Sequence, residues 1–600
     1  MRVSDYIAHF LVEKKVDLVF TITGAGNLRL IESISEAGIK YVCPHHEQAA
    51  VMSALARYRI TRRPAVCLVT GGPGAANTLI AVADAYLDSI PCIIIAGQEK
   101  LEYVHPKNSM RGKGIQGLDM IDIMKSVTKF GASLNNPDDI RRTLEEAFYV
   151  AFCGRPGPVW IEIPQDLQWV DIDPNSLEQF TVPKKNQNAL SLQSAVKDTL
   201  ALLKDSKRPL IWLGHGVRLA NCVDAARSLL NTLKVPVLAS WQGADILTDD
   251  HPFYVGRAGI YGQRWANLAL QNCDLLITLG TRLAIPQRGY IDSEFARAAK
   301  KVIVEIDSDE LSKYDFKVDI PVLANVSDFI NATQAEILSE DYLANNYSDW
   351  FQQCKAWHER YPMASSPKEG DVGINSYWFI DKLSGHLRVD DIVVTDMGTS
   401  LTCTHAAIRL KEGQRLITST GLGEMGYGLP AAIGAALGDG STRRVILICG
   451  EGSMMMNLQE LQTVSHLNLS IKIFLLNNNG YLTIKHTHKA LYGSKGDASA
   501  TGPTSGVSFP DFAKLAPAFD LTYRAIKTSV GLDNWIEDVL NQPGSVFGDI
   551  LMPEFQELIP KLSVKVKENG LVYSPPLEDM YPYLTNSELE SEMIIPVLKK

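Results

Sequence analysis

The chain has 600 residues, of which 46% are hydrophobic, and its formal net charge is −10. This length predicts three or four domains, and an acidic balance without any basic block argues against a nucleic-acid partner. The apolar runs have only strand length, which excludes a membrane span, and nine scattered cysteines without a Cys-x-x-Cys pattern indicate reduced thiols in a cytoplasmic protein.

Short apolar runs alternate with helix-period segments in the first third of the chain. Strands are predicted in "VDLVFTITG", "AVCLVTGG" and "PCIIIAG", which are separated by segments of helical spacing. This alternation is typical of a parallel sheet covered by helices. We therefore place a first α/β domain at residues 1–175.

The same rhythm continues in two further blocks. The middle block, residues 190–340, opens with "RPLIWLGHG", and the third block, residues 370–550, opens with "DDIVVTDMG". The third block resembles the first in length and rhythm, which predicts two related domains around a different middle one. The fold class is thus predicted as α/β, with three doubly wound parallel sheets, and residues 551–600 form a C-terminal arm.

A charged residue between two glycines follows the strand "VILIC" in the third block. Gly450, Glu451, Gly452 and Ser453 lie where this strand ends and a helix begins. Free backbone N–H groups and the helix dipole favour a phosphate there, and a carboxylate can hold Mg²⁺ against it. The next strand brings Asn478 to the same edge of the sheet. The alternative is an ordinary Gly-x-Gly turn.

The spacing of these residues resembles the motif of thiamine-diphosphate-dependent enzymes, in which Gly-Asp-Gly-Ser is followed, after a spacer, by Asn-Asn. Glu451 stands where that family usually has Asp. The resemblance implies that Glu451, Asn478 and the Gly480 carbonyl bind Mg²⁺. It also implies that Gly452 and Ser453 contact the diphosphate.

The first domain contains "HEQAA" and "GPGAAN" in the order found in the acetolactate synthase branch of that family. This resemblance implies that Glu47 is the catalytic glutamate, hydrogen bonded to the aminopyrimidine of the cofactor. It also implies cofactor contacts at Pro73 and Asn77. Taken without the resemblance, a glutamate at the start of an apolar helix is usually a capping residue.

Two segments of the third domain resemble cofactor-binding segments of the same family. "STGLGEMGYGLPAAIGAALG" implies that the Gly423 carbonyl and the Met425 side chain hold the cofactor in its bent form. "VTDMGTS" implies diphosphate contacts at Gly398, Thr399 and Ser400, where the last two replace the usual Gln-His. The alternative for Met425 is a core methionine.

The reaction is indicated by the segment "GIQGLDMID", which resembles a Phe-Gln segment of acetolactate synthases. The resemblance implies that Gln116 lies beside the thiazolium and the acceptor, and a solvated surface glutamine is the alternative. It further implies a carboligase that decarboxylates pyruvate or a similar 2-oxo acid and adds the acyl unit to a second carbonyl compound.

The acceptor end departs from the family pattern. In "NGYLTIKHTH", Thr487 falls where the synthases have a tryptophan that shapes acceptor choice. We therefore expect a rebuilt acceptor pocket for a larger keto compound or a keto sugar. The alternatives are a non-oxidative 2-oxo acid decarboxylase or C–C lyase, and a non-catalytic scaffold of the thiamine type.

The resemblance also concerns the middle domain and the assembly. "GHG" at 214–216, "GRAGIYG" at 256–262, Arg282 and Asp307 fall where this branch contacts FAD, and a vestigial domain is the alternative. In the family, the active site forms between the first domain of one subunit and the third domain of another. A homodimer or homotetramer is thus implied, with Glu47 acting across the interface.

Overall fold

The computed structural model describes residues 1–104, 114–183, 189–339, 345–363, 367, 371–438, 443–493, 499–566 and 572–598. Three six-stranded sheets follow one another along the chain, and every strand pairing within them is parallel. Helices connect the strands, which confirms the predicted α/β class with three parallel-sheet units.

The first unit has the strand order β2-β1-β3-β4-β6-β5. Its strands are β1 (Leu18–Thr21), β2 (Lys40–Val42), β3 (Ala65–Val69), β4 (Cys92–Gln98), β5 (Phe130–Ser133) and β6 (Val159–Pro164). Its helices are α1 (Val3–Glu13), α2 (Leu28–Glu36), α3 (Glu47–Thr61), α4 (Pro73–Ala76), α5 (Leu79–Leu87), α6 (Leu101–Val104), α7 (Met120–Met124) and α8 (Ile140–Phe152).

The central strand β4 shows why these apolar runs are continuous rather than alternating. Every residue of β4 is buried. Ile94 packs in a core that includes α3, whereas Ile93 and Ile95 pack in a second core that includes α1. Because helices cover both faces of the sheet, both side-chain directions along the strand need apolar residues.

The middle unit has a different strand order, β12-β11-β10-β7-β8-β9. Its strands are β7 (Pro209–Leu213), β8 (Val237–Ala239), β9 (Tyr254–Gly256), β10 (Leu275–Leu279), β11 (Lys300–Glu305) and β12 (Ile320–Leu323). Its helices are α9 (Ala189–Asp205), α10 (Gly216–Leu219), α11 (Val223–Leu233), α12 (Arg264–Asn272), α13 (Ile285–Arg288), α14 (Ser308–Ser312) and α15 (Val326–Ser339), and α16 (Ser348–Arg360) follows.

The third unit has the order β14-β13-β15-β16-β18-β17. Its strands are β13 (Ile392–Thr395), β14 (Arg415–Ile417), β15 (Val445–Gly450), β16 (Ile471–Asn477), β17 (Thr522–Ile526) and β18 (Val546–Leu551). Its helices are α17 (Ser376–His386), α18 (Thr399–Ala407), α19 (Gly428–Ala436), α20 (Glu451–Met454), α21 (Glu460–His466), α22 (Leu482–Tyr492), α23 (Phe512–Ala518) and α24 (Leu532–Asn541).

The first and third sheets share one topology. When the strands of each unit are numbered from its own first strand, both sheets have the order 2-1-3-4-6-5, and the middle sheet does not. The prediction of two related units around a different one is therefore confirmed.

These two related units pack against each other through α3 and α19. Gly434 in α19 lies so close to α3 that a Cβ atom there would be 2.0 Å from the Ser53 carbonyl oxygen. The Ser53 hydroxyl in turn donates to the Pro430 carbonyl at 2.8 Å. Small side chains at the crossing allow the two helix backbones to approach this closely.

A C-terminal arm covers the middle unit. It contains β19 (Lys565–Val566), β20 (Val572–Tyr573) and α25 (Asn586–Glu592). Asn272, at the end of α12, donates to the Glu592 carbonyl at 3.1 Å and accepts from the Ile594 N–H at 2.7 Å. Asn267 donates to the Leu577 carbonyl at 3.0 Å. The arm thus supplies hydrogen-bond partners to the buried amide side chains of α12.

Two predicted absences concern membranes and disulfides. Within the described ranges, no helix has both the length and the apolar composition that a bilayer crossing requires. All nine cysteines are free thiols, and seven of them are buried.

Candidate functional site

Glu451, Asn478 and Gly480 contact one another at the carboxyl ends of β15 and β16. The Glu451 carboxylate is only 1% exposed, and its Oε1 accepts from the Gly480 N–H at 2.7 Å. The Asn478 side chain donates to the Gly480 carbonyl at 2.8 Å. The structure therefore brings together all three residues that the sequence nominates as metal ligands.

The environment of Glu451 combines burial with backbone donors. Burial raises the pKa of Glu451 to about 7, although the N–H groups of Gly480, Glu451 itself and Asn478 oppose the rise. A bound cation would further stabilise the buried negative charge of Glu451, which these N–H groups stabilise only in part. Carboxylate, amide and carbonyl oxygens are the ligands that hard divalent cations prefer, so this donor set fits such an ion.

Glu451 has a longer side chain than the aspartate of the family motif. The longer side chain spans the gap between the ends of the two strands and meets the Gly480 N–H directly. In the part of the chain that the structure describes, no three His, Cys, Asp or Glu side chains group as a metal site. A cation at this position would therefore depend on one carboxylate and neutral oxygens.

The predicted diphosphate residues lie at the point where the order of the third sheet reverses. β13 and β15 are neighbours, yet the chain leaves them toward opposite edges of the sheet. Gly398 follows β13 with a φ of +87° and leads into Thr399 and Ser400 at the N-terminus of α18. Gly452 and Ser453 follow β15 in α20. Ligands of open parallel sheets bind at such reversal points, and helix N-termini favour anions.

Gly452 is also required by packing. A Cβ atom at this position would lie 2.2 Å from the Tyr481 ring and 3.2 Å from the Met425 methyl group. The Met425 side chain therefore lies beside the loop that carries Glu451. It is partly exposed in the single chain and is not one of the fully buried core residues.

Gly423 adopts a left-handed backbone, with a φ of +75°. A Cβ atom there would lie 2.4 Å from the methyl group of Met397, which follows β13. The segment that holds Gly423 and Met425 is thus packed between the ends of β13 and β15.

Asp396 is a site residue that the sequence analysis missed. Its buried carboxylate accepts from the N–H groups of Met397 at 2.7 Å, Gly426 at 3.0 Å and Gly428 at 2.7 Å. Burial raises the pKa of Asp396, and these donors oppose the rise. Asp396 thereby joins the end of β13 to the segment containing Gly423 and Met425. The sequence signal that could have identified Asp396 is its position as a polar residue between a buried strand and a glycine turn.

Glu47 lies at the start of α3 in the first unit. It is 9% exposed, and its Oε2 accepts from the Asn77 side chain at 2.9 Å. The capping role considered for Glu47 belongs instead to His46, whose ring accepts from the Gln48 N–H at 3.1 Å. The Glu47 carboxylate is thus directed toward the loop after β3.

Pro73 and Gln116 lie at the same end of the first sheet. Pro73 begins α4, which ends just before Asn77. The preceding Gly72, with a φ of +59°, packs against Gln116 so closely that a Cβ atom would lie 2.6 Å from the Gln116 carbonyl oxygen. Gln116 is partly buried. The four residues predicted in this unit therefore gather at the ends of β3 and β4.

The two groups of predicted residues lie in different units of the chain. Across the described ranges, no hydrogen bond joins Glu47, Asn77 or Gln116 to the predicted cofactor and metal residues of the third unit. Between the units, the contacts near Glu47 run through neighbours, such as the His45 N–H, which donates to Glu460 Oε1 at 2.9 Å.

A cleft lies between the middle unit and its two neighbours. Of the residues predicted to contact a flavin, Gly216, Ala258 and Arg282 line it. Asp307 does not line the cleft, but it forms an ion pair with the lining residue Arg155 at 3.3 Å. Two buried polar atoms of lining residues, Gln242 Oε1 and Thr281 Oγ1, have no hydrogen-bond partner within the described chain, and Arg282 Nε lies 3.5 Å from Glu310 Oε1. Unpartnered buried polar atoms around a cleft are what a polar ligand would satisfy.

Comparisons with known proteins agree with this geometry. Residues 1–125 match the family described as "Thiamine pyrophosphate enzyme, N-terminal TPP binding domain". Residues 196–333 match its central domain, and residues 396–550 match its C-terminal TPP binding domain. Thiamine pyrophosphate is another name for thiamine diphosphate.

Curated relatives cover almost the whole chain. Acetolactate synthase isozyme 1 large subunit of Escherichia coli (strain K12) is 32% identical over 90% of this chain and 92% of its own length. Isozyme 2 of the same organism is 29% identical over 93% and 97%. The acetolactate synthase large subunit of Lactococcus lactis is 28% identical over 95% and 96%. The chain belongs to the thiamine pyrophosphate enzymes, in the branch of the acetolactate synthase large subunits.

Proposed function

We propose that this protein is a thiamine-diphosphate- and Mg²⁺-dependent carboligase that decarboxylates pyruvate or a similar 2-oxo acid and joins the acyl unit to a second carbonyl compound. The observation that carries the proposal is the contact among Glu451, Asn478 and Gly480 at the reversal point of the third sheet. Gly398, Thr399, Ser400, Gly452 and Ser453 would hold the diphosphate, and Glu451, Asn478 and Gly480 would hold Mg²⁺.

The remaining predicted residues have roles that follow from their positions. Thiamine diphosphate, when bound, supplies a nucleophilic carbon for the decarboxylation of a 2-oxo acid. Glu47 would hold a proton at the aminopyrimidine, and Asn77 keeps its carboxylate in place. Met425 would support the bend of the cofactor, with the Gly423 carbonyl beside it. Gln116 would orient the acceptor.

The acceptor is proposed to be larger than in the synthases. Thr487, on α22, has a short side chain whose hydroxyl donates to the Thr483 carbonyl at 3.1 Å. A threonine is smaller than an indole and leaves room for a larger acceptor. Purified enzyme should be given pyruvate alone, or pyruvate with 2-oxobutyrate or a ketose, and both CO₂ release and coupled products should be measured. CO₂ release that no acceptor changes, with aldehyde as the product, would favour the decarboxylase alternative.

The active site is proposed to form between two copies of the chain, because the family resemblance implies it and no described hydrogen bond joins the two groups of predicted residues within one chain. Glu47→Gln and Glu451→Ala should each abolish turnover, and Glu47→Gln should still bind thiamine diphosphate. When the two inactive variants are unfolded together and refolded, mixed dimers should contain one intact site, which restores about a quarter of wild-type activity.

Two outcomes contradict this arrangement. Recovery of no activity, from a mixture shown by mass spectrometry to contain mixed dimers, would place both halves of each site in one chain. A wild-type protein that binds thiamine diphosphate but turns over no 2-oxo acid would favour the non-catalytic scaffold. Sedimentation analysis of the same samples distinguishes a dimer from a tetramer.

FAD is the proposed ligand of the cleft beside the middle unit. The unpartnered buried atoms of Gln242 and Thr281 support this, as do the predicted flavin residues Gly216, Ala258 and Arg282 that line the cleft. The absorption spectrum of the purified protein should show a flavin band that Arg282→Ala weakens, while Arg63→Ala, an exposed arginine outside the cleft, leaves it unchanged. Active enzyme without any flavin band would contradict the assignment.

Nine free thiols support a cytoplasmic location.

A further inference from the structure

A serine hydroxyl bridges two buried carboxyl groups between the first and third units. Ser419 Oγ lies 2.7 Å from Asp84 Oδ1 and 2.7 Å from Glu424 Oε2, and all three residues are buried. A hydroxyl group has one proton and can donate to only one of these oxygens. The second short contact therefore requires a proton on one of the carboxyl groups, which donates to Ser419.

No other donor takes the place of that proton. The outer oxygens, Asp84 Oδ2 and Glu424 Oε1, are buried and have no partner within the described residues. The terminal nitrogens of the Arg59 guanidinium donate to Asp88 at 2.6 Å and to the Thr418 carbonyl at 2.7 Å, and its Nε makes no hydrogen bond to either carboxyl group. Two adjacent carboxylates without a neutralising group would repel each other strongly in this buried position.

The surroundings of the pair favour one neutral member. Burial raises the pKa of Glu424 to about 8, and burial together with the neighbouring Glu424 raises the pKa of Asp84. The charged and titratable groups that face the pair are Arg59, Asp88, Asp396 and Tyr427. Arg59 alone among them favours ionisation, and Asp88 already pairs with it.

The pair lies beside the proposed cofactor contacts. Asp84 belongs to α5 of the first unit, whereas Ser419 and Glu424 belong to the segment of the third unit that leads into α19. Glu424 stands between Gly423 and Met425, so the carboxyl contact fixes the backbone of both. The segment 419–425 is called the cofactor loop below.

We propose that Asp84 and Glu424 share one proton across Ser419, and that this hydrogen-bonded pair positions the cofactor loop against the first unit. The positioning part rests on the proposed function, because it assumes that Gly423 and Met425 contact thiamine diphosphate. Glu424 is a positioning residue that acts through these two neighbours. Loss of the shared proton leaves two carboxylates in repulsion and releases the loop.

The first test measures cofactor affinity as a function of pH. Because the pKa of Glu424 is raised, the neutral form is present at low pH and is lost as pH rises through about 8. Wild-type affinity for thiamine diphosphate should therefore fall on this alkaline side, by up to about tenfold for each pH unit. Glu424→Gln should show no such fall, because its amide still donates to Ser419 and cannot ionise.

Glu460→Gln is the matched control for this measurement. Glu460 is another buried glutamate with a raised pKa, but its carboxylate accepts from the His45 N–H, just before α3 begins, and from the Thr463 hydroxyl in α21. This variant should keep the alkaline loss of the wild type. If Glu424→Gln also keeps it, the positioning role is wrong.

The second test detects the proton itself. The infrared difference spectrum of wild type minus Glu424→Gln should contain the carbonyl stretch of a protonated carboxyl group at neutral pH, and this band should vanish above about pH 8. Wild type minus Asp84→Asn supplies the same comparison if the first variant folds poorly. Absence of the band from both differences would overturn the shared proton.

These results are separable from failure of the proposed function. A protein that binds no thiamine diphosphate at any pH would refute the function and the positioning role. The infrared measurement would still decide whether the pair shares a proton. A protein that binds the cofactor with pH-independent affinity would refute the positioning role alone.

Discussion

Glu451 is the residue on which the proposed Mg²⁺ site depends most. Its carboxylate is the single anionic group among the three proposed ligands, and the Gly480 N–H already holds it in place. Glu451→Ala should raise the Mg²⁺ concentration needed for half-maximal cofactor binding by about tenfold or more, because the anionic ligand is lost. Calorimetric titration of Mg²⁺ in the presence of thiamine diphosphate measures this.

Glu451→Gln is the matched variant at this position. It keeps the oxygen and the length of the side chain but removes the charge, so its Mg²⁺ requirement should fall between those of the wild type and of Glu451→Ala. Unchanged Mg²⁺ and cofactor affinity in Glu451→Ala would show that the loop does not bind the ion.

At the residue scale, the sequence was enough to predict contacts between residues at the ends of adjacent strands. It was not enough to predict contacts that several separate segments form together. Glu451 and Asn478 were predictable because adjacent parallel strands end at one edge of a sheet. Asp396 was not, because its three donors come from Met397 and from residues some thirty positions later. Its role appears only once both segments are folded.

At the scale of elements, the crossing of α3 and α19 depends on a missing side chain. A Cβ atom at Gly434 would lie 2.0 Å from the Ser53 carbonyl oxygen, so Gly434→Ala forces the helices apart. We expect a loss of unfolding free energy of about 1–3 kcal/mol, measured by urea denaturation. A stability equal to or above the wild-type value would contradict the close packing.

Gly385→Ala provides the control for this substitution. Gly385 lies in α17, and nothing lies within 4 Å of a Cβ atom built there. The same change should therefore stabilise the protein by about 0.5–1 kcal/mol, because alanine loses less backbone entropy in a helix.

The elements themselves were largely predictable, and their partners were less so. Buried parallel strands have apolar residues at nearly every position, which the sequence shows directly in β4 and β15. The helix α12 is different, since "RWANLALQN" is wholly buried although it contains two asparagines and a glutamine. Its burial depends on the C-terminal arm, and no local sequence pattern in α12 predicts a contact with a segment some three hundred residues later.

At the scale of the whole molecule, Asp245 joins the middle unit to the third. Its buried carboxylate accepts from Arg218 at 2.8 Å and from Arg415, in β14, at 2.7 Å. Burial alone would raise the pKa of Asp245, but the two arginines hold it well below its ordinary value. Asp245→Asn should lower the unfolding free energy by about 3–5 kcal/mol, because two buried cations lose their anion.

The pH dependence follows from the direction of that shift. A lowered pKa contributes stability at pH values above the ordinary aspartate range, and this stability is lost as pH falls toward the pKa in the folded protein. The difference between the wild type and Asp245→Asn should therefore be constant near neutral pH and shrink in acid. A difference that stays constant in acid would show that the carboxylate is not held by the arginines.

The arm that covers α12 also sets an order of events while the protein is made. Glu592 lies 320 residues after Asn272, whose side chain donates to its carbonyl. At translation rates of about 5–20 residues per second, this partner emerges from the ribosome roughly 15–65 s after α12. During that time the amides of α12 lack their final partners. The middle unit should therefore be the last to mature, although it is made second.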